Sequence, residues 1–311
     1  MIPYKDITIT ERDWKLIRFL GEYRVIAVDD VGKIYGTERY HELRLTVLKK
    51  AKLINRKNSY VYLTQASRNL LKQQNLPCNE LNSLKQSASR YPRIARLSLD
   101  MEGSEWGFIP SWRYKGNTMG DRTARFYGII TNSQKTYAVY NIGKKPQEKS
   151  LMHLKNEMET LPMRFDITRA VIFAETASAM KAYGEESLGL MEQLLLPYND
   201  RSLQLLKAAA KENLIKKAAQ MTYKHGGPPE WRGADYTVDD GKQVAVLILH
   251  DIEKISRLND YAELIQYRRL KKRNNIEILC LTEQEKYYKD KYPYFQIKTI
   301  DLDKLLAVEK S

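Results

Sequence analysis

The chain has 311 residues, 52 Lys+Arg against 38 Asp+Glu for a net charge of +14, 43% hydrophobic residues and 29% charged ones; that balance excludes a disordered or fibrous chain. Its longest strongly apolar run, residues 244–249, is far too short to cross a bilayer. No apolar signal-peptide core is read near the N-terminus, and Cys78 and Cys280 supply neither a disulfide framework nor a metal-ligand spacing. The expectation is a cytoplasmic protein with no membrane partner and no cofactor.

The first 78 residues read as a helical block. Thr10 followed by Asp13 resembles a capping box ahead of a helix over 11–22, in which Leu16, Ile17 and Leu20 fall at helical spacing. A second helix is predicted over 29–35, with Val31, Ile34 and Tyr35 inward and Gly36 as its stop. Thr37 can cap a third over 38–50. Two short strands then flank the polar turn at Asn55–Ser59, and a closing helix is predicted over 65–72. A polar stretch follows, so the domains are placed at 1–78, a linker at 79–92, and a second domain at 93–311.

The remainder alternates strands and helices. A hairpin is predicted at 125–131 and 136–142, then a helix over 150–160, a strand over 169–175 and a helix over 176–183. One long amphipathic helix is expected over 202–221, then strands at 234–238 and 243–250, a helix over 252–269, a strand over 276–282, a helix over 284–290 and a strand over 295–300. This pattern implies an α/β layer with a mixed sheet, and the fold class is α+β as a whole. No internal repeat is read.

Charge separates the two parts. Residues 1–80 hold 15 Lys+Arg and 9 Asp+Glu, residues 81–150 hold 12 and 5, and residues 151–311 hold 25 and 24. Nearly all the excess lies in the first half, as in a polyanion-binding module joined to a neutral partner domain.

Three helices followed by a β-hairpin is the layout of a winged helix-turn-helix, whose third helix enters the major groove while the wing follows the backbone. The candidate DNA-binding residues are Thr37, Arg39, Tyr40, His41, Arg44, Lys49 and Lys50 on or before the third helix, and Arg56, Lys57 and Asn58 at the wing. Helix phase leaves open whether Arg39 or Arg44 points outward. Tyr40, Leu43 and Val47 define one apolar face, whereas Leu45, Leu48 and Ala51 define another.

The runs Ile9–Asp13, Leu16–Leu20, Val31 with Ile34–Tyr35, Leu45–Arg56 and Tyr62–Thr64 resemble the replication-relaxation proteins, winged-helix proteins of Gram-positive plasmids and integrative conjugative elements. The resemblance covers about residues 8–72 and implies binding to double-stranded DNA of a mobile element, in replication, conjugative transfer or transcriptional regulation. It also implies relaxase or replication proteins as partners. The downstream part of such proteins is similar to a restriction-endonuclease-like core, which would place metal-binding acids on two neighbouring strands. Asp235 fits the first position. Leu249 stands where the second acid is wanted, with Asp251 two residues on. The expectation is a degenerate, non-enzymatic domain for dimerisation or recruitment, with no catalytic or metal residues; the alternative is a metal-dependent nuclease using Asp235 and Asp251.

Other features are bland in sequence. The four histidines, His41, His153, His225 and His250, form no His-x-His pair. Gly226-Gly227-Pro228-Pro229 reads as a structural turn, because no Gly-Lys-Ser/Thr follows. The basic cluster at 268–273 can cap a helix or make a second DNA contact.

Overall fold

Contacts divide the chain after Glu102, into units of residues 1–102 and 103–311. The computed structural model describes residues 2–37, 39–79, 90–115, 125–238, 241–267 and 275–307. The basic cluster at 268–273 and most of the expected linker lie outside the described residues.

The first unit opens with an antiparallel hairpin, β1 (Ile2–Tyr4) and β2 (Ile7–Ile9). Helix α1 (Glu11–Tyr23) follows with the capping box in place: the Asp13 amide donates to Thr10 Oγ1 at 3.2 Å, and the Thr10 amide donates back to Asp13 Oδ2 at 2.8 Å. Next come β3 (Val25–Ala27), α2 (Val28–Tyr35), α3 (Tyr40–Lys50), the hairpin β4 (Ile54–Lys57) and β5 (Tyr60–Leu63), and α4 (Gln65–Gln73). Gly36 ends α2 at φ +66°, a left-handed conformation that costs glycine little. The three strands form an antiparallel sheet in the order β3-β5-β4. Leu16, Ile17 and Leu20 meet Val31, Ile34, Leu45, Leu48 and Val61 in one core.

Three expectations change here. Helix α3 starts at Tyr40, with Arg39 at its N-cap position and no side-chain cap. Thr37 Oγ1 makes no hydrogen bond among the described residues, so it does not cap the helix. The first unit also runs past the expected boundary. Helix α5 (Arg90–Met101) buries Leu99 in the same core, and Lys33 reaches Asp100 at 2.5 Å. Residues 93–102 therefore pack with the N-terminal block, because α5 is amphipathic and supplies apolar cover that the block lacks.

The second unit contains two five-stranded sheets of the same construction. In the first, β6 (Gly107–Pro110), β7 (Gly128–Thr131) and β8 (Thr136–Ile142) form an antiparallel meander, with α6 (Ser111–Lys115) after β6. Helices α7 (Glu148–Glu159) and α8 (Leu161–Phe165) lead to β9 (Arg169–Ala174), and α9 (Ala177–Tyr183) leads to β10 (Glu192–Pro197). Both β9 and β10 run parallel to β8, giving the order β10-β9-β8-β7-β6.

Helices α10 (Asp200–Lys211) and α11 (Leu214–Thr222) connect to the second sheet. There β11 (Gly226–Gly227), β12 (Tyr236–Val238) and β13 (Lys242–Val246) make the meander. Helix α12 (Ile252–Gln266), β14 (Ile276–Leu281), α13 (Glu285–Lys291), β15 (Gln296–Ile300) and α14 (Leu302–Leu306) complete it in the order β11-β12-β13-β14-β15. Sequential neighbours pair throughout, antiparallel then parallel, in both sheets.

The expected single helix over 202–221 is two helices, because Glu212 turns extended and the Asn213 side chain caps the second one at the Lys216 amide. The strand expected to reach residue 250 ends at Val246; His250 bonds back to Leu247 and takes φ +45°. The two halves are joined through α12. Asp251 Oδ1 accepts from the Gln193 amide at 3.1 Å, and Glu253 accepts from the Leu188 and Leu190 amides at 3.0 and 3.1 Å.

Candidate nucleic-acid interface

Asp13 sets the orientation of the third helix. Its carboxylate is wholly buried and accepts from Thr10, from Tyr35 Oη at 2.6 Å, and from Arg44 Nε and Nη2 at 3.2 and 2.5 Å. Arg44 Nη2 also donates to the Thr8 carbonyl at 3.1 Å. The carboxylate thereby ties α1, α2 and α3 together, and Arg44 carries the tie on to the β1–β2 hairpin. Burial opposes the charge on Asp13, but the bonds from Arg44, Tyr35 and Thr10 outweigh it and hold the carboxyl below its ordinary range. The Asp13 hydrogen bond raises Arg44 in turn.

That network settles the helix phase. Arg44 faces inward, with a side chain only 14% exposed. Leu45, Leu48 and His41 form the buried face, and His41 Nδ1 lies 3.2 Å from the Thr37 carbonyl. The face left outside carries Arg39, Tyr40, Leu43, Thr46 and Lys50, with Tyr40 42% and Leu43 61% exposed. Arg39 forms no ion pair among the described residues. Of the ten expected contact residues, His41 and Arg44 are therefore taken into the core and its polar ties, and Thr37 is half-buried.

The hairpin sits beside this helix. Arg56 Nη1 and Nη2 donate to the two Glu42 carboxylate oxygens at 2.6 and 3.3 Å, a forked pair between β4 and α3. Lys57 and Asn58 are exposed at the tip, where Asn58 takes φ +54°, a left-handed turn position that asparagine tolerates. Lys49, Lys50, Lys52 and Lys57 are exposed and without an ion pair among the described residues.

No protein-family model, no curated protein and no solved structure matches this chain. The functional reading therefore rests on its own residues.

Sequence reasoning passed over Glu42 and Lys52. Glu42 follows directly on His41 in the third helix, so its tie to the wing needed the fold. Lys52 carries φ +60° in the turn after α3, just outside the predicted helix.

The expected nuclease acids are engaged elsewhere. Asp235 Oδ1 accepts from Lys254 Nζ at 2.7 Å, and its Oδ2 accepts from the Val246 amide at 2.8 Å. Asp251 caps α12, accepting from the Glu253 amide as well as from Gln193. Burial pushes its pKa up to about 6. No three His, Cys, Asp or Glu side chains among the described residues are grouped to hold a metal ion. The turn expected at 226–229 instead begins as strand β11, because Gly226 and Gly227 pair with Val238 and Thr237, and the segment after it is held by Gln243, whose Oε1 accepts from the Glu230 amide at 3.0 Å. No helix of the described residues is long and apolar enough to cross a membrane.

Proposed function

We propose that the first unit is a winged helix that binds double-stranded DNA sequence-specifically, with α3 in the major groove and the β4–β5 hairpin along the backbone. The observation that carries this reading is the set of exposed cations, Arg39, Lys49, Lys50, Lys52 and Lys57, that form no ion pair among the described residues. A protein-binding helix has no need of five uncompensated charges over one helix and its hairpin, whereas a phosphate backbone does. Arg39 is an exposed guanidinium at the N-cap of α3, suited to two hydrogen bonds with guanine O6 and N7. Tyr40 and Leu43 beside it supply apolar contact of the kind that a thymine methyl accepts.

A site of action at the origin of a plasmid or an integrative conjugative element is part of the proposal only through the expected likeness of residues 8–72 to the replication-relaxation proteins, which no family model matches. A single module reads few base pairs, so a homodimer on a repeated or palindromic site is the expected form. The second unit, in this reading, is non-enzymatic and serves pairing or recruitment. A restriction-endonuclease-like ancestry fits its αβββαβ succession from α11 to β14, with Lys254 now occupying the carboxylate of Asp235.

Anisotropy titrations of the full chain on duplexes selected from a random library test the reading. Log affinity should fall steeply and linearly with log salt, and the selected duplex should bind at least a hundredfold tighter than a scrambled one. Binding that ignores salt, or that does not distinguish any duplex, would overturn it.

A further inference from the structure

A cleft of about 920 Å³ opens in the second unit between its two sheets. Its walls come from the carboxyl ends of parallel strands in both halves: Leu195 and Leu196 end β10, Ile248 follows β13, and Leu281 ends β14. Leu205 of α10 and Leu302 of α14 complete a floor in which all six side chains are buried. The carboxyl ends of parallel strands are where α/β sheets receive ligands, and the volume lies within the range of small-molecule sites.

The charges at the mouth are uneven. Glu185 already accepts from Lys291 and from Tyr287 Oη, so it is neutralised within the fold. His250 lies 3.5 Å from Glu185, and burial keeps it uncharged near neutral pH by lowering its pKa to about 4. Arg201, 65% exposed, stands 3.6 Å from Glu283. Lys181 lines the same cleft, exposed and with no ion pair among the described residues. One positive charge is left over beside an apolar floor.

We infer that this cleft binds an organic monoanion with a large apolar body, its acid group held at Lys181 and its hydrocarbon laid on Leu195, Leu205, Ile248 and Leu281. Neither a neutral hydrocarbon nor a polyphosphate matches both features. The first leaves Lys181 without a partner. The second brings several charges to a site with one to spare, and covers none of the leucine floor. This ligand site is independent of the DNA-binding reading, since every residue it uses lies in residues 177–302.

The test uses 8-anilinonaphthalene-1-sulfonate, an apolar aromatic body with one sulfonate, titrated onto the full chain by fluorescence. One saturable site per chain is expected, displaced by decanoate at a concentration at least tenfold lower than decanol requires. Lys181→Ala, a change at an exposed position, should weaken the probe about tenfold, which is the loss of about 1.4 kcal/mol. Leu205→Trp should fill the floor and abolish the site, with near-ultraviolet dichroism checking that the fold survives. If that variant unfolds, the Lys181→Ala titration and the decanoate–decanol comparison on the unaltered chain still decide. Non-saturating fluorescence, equal displacement by the acid and the alcohol, or an unchanged affinity in Lys181→Ala overturns the assignment.

Discussion

Arg44 and Arg39 sit five residues apart on and beside one helix, and the structure gives them opposite placements, Arg44 inward on Asp13 and Arg39 exposed. Replacing Arg44 with Ala removes two hydrogen bonds from the wholly buried Asp13 and the one cation paired with it among the described residues. Breaking a buried pair from one side costs about 3–5 kcal/mol, because the remaining charge is stranded. Here Thr10 and Tyr35 still donate to the carboxylate, so the loss should be smaller, about 2–3 kcal/mol. For a unit of this size that corresponds to a melting temperature lower by roughly 10–20 °C. Thermal unfolding of a 1–102 fragment can be followed through Trp14, its only tryptophan.

The pH dependence gives a second readout. Asp13 has a depressed carboxyl pKa when folded, so its stabilisation is complete above the unfolded value near 4 and is lost as pH falls through the folded one. Without Arg44 that depression shrinks, and the gap between variant and parent should narrow in acid, where a protonated Asp13 needs no guanidinium. Arg39→Ala should leave the melting temperature unchanged and cost about 1–3 kcal/mol on a cognate duplex, with much less on random DNA. Equal melting of all three proteins, or a stability loss in Arg39→Ala matching that in Arg44→Ala, would refute the assigned helix phase.

Glu42→Gln should release Arg56 from its forked partner, tightening binding to every duplex alike and steepening the salt slope by about one; an unchanged slope in anisotropy titrations would argue that Arg56 never reaches phosphate. A fragment of residues 1–102 should fold, while one ending at residue 80 should melt earlier, since it lacks α5 and the cover of Leu99; circular dichroism melts compare them. Asp251→Asn keeps the acceptor for the Gln193 and Glu253 amides and removes an acid whose folded pKa is raised to about 6. In the parent that acid makes stability fall as pH rises from about 4 to 6, so urea midpoints should show the variant gaining on the parent across that window, by about 2–3 kcal/mol; parallel profiles would contradict it.

The helices of the first unit were legible because their signals are local. The Thr10–Asp13 cap, the Leu16, Ile17 and Leu20 spacing, and Gly36 as a stop each concern residues within one turn of each other. The phase of α3 was not, because it is decided by Asp13, 31 positions from Arg44 in the chain. The domain boundary failed for a related reason: the apolar face of α5 is visible only as a helix, while the partner that buries it lies 70 residues upstream. In the second unit the repeat escaped notice because the two sheets share a succession of strands and not a sequence. Their meanders are also built from strands as short as β11 and β12, which carry almost no alternation to read. The long helix was overextended because Glu212 and Asn213 interrupt a run whose apolar spacing hardly changes.

Helix α3 breaks the ordinary rule for a surface helix twice over. It spends an arginine on the buried side and turns a tyrosine and a leucine to solvent, so its apolar residues do not gather on one face as they do in α2 and α4. Local inconsistencies of this kind are expected where function, and not stability, selects the residue. A leucine 61% exposed beside a 42% exposed tyrosine gains nothing in the isolated chain. Under the proposed docking, a groove that offers both phosphates and thymine methyls would complement Arg39, Tyr40 and Leu43 together, and the inward Arg44 is what leaves that face outside.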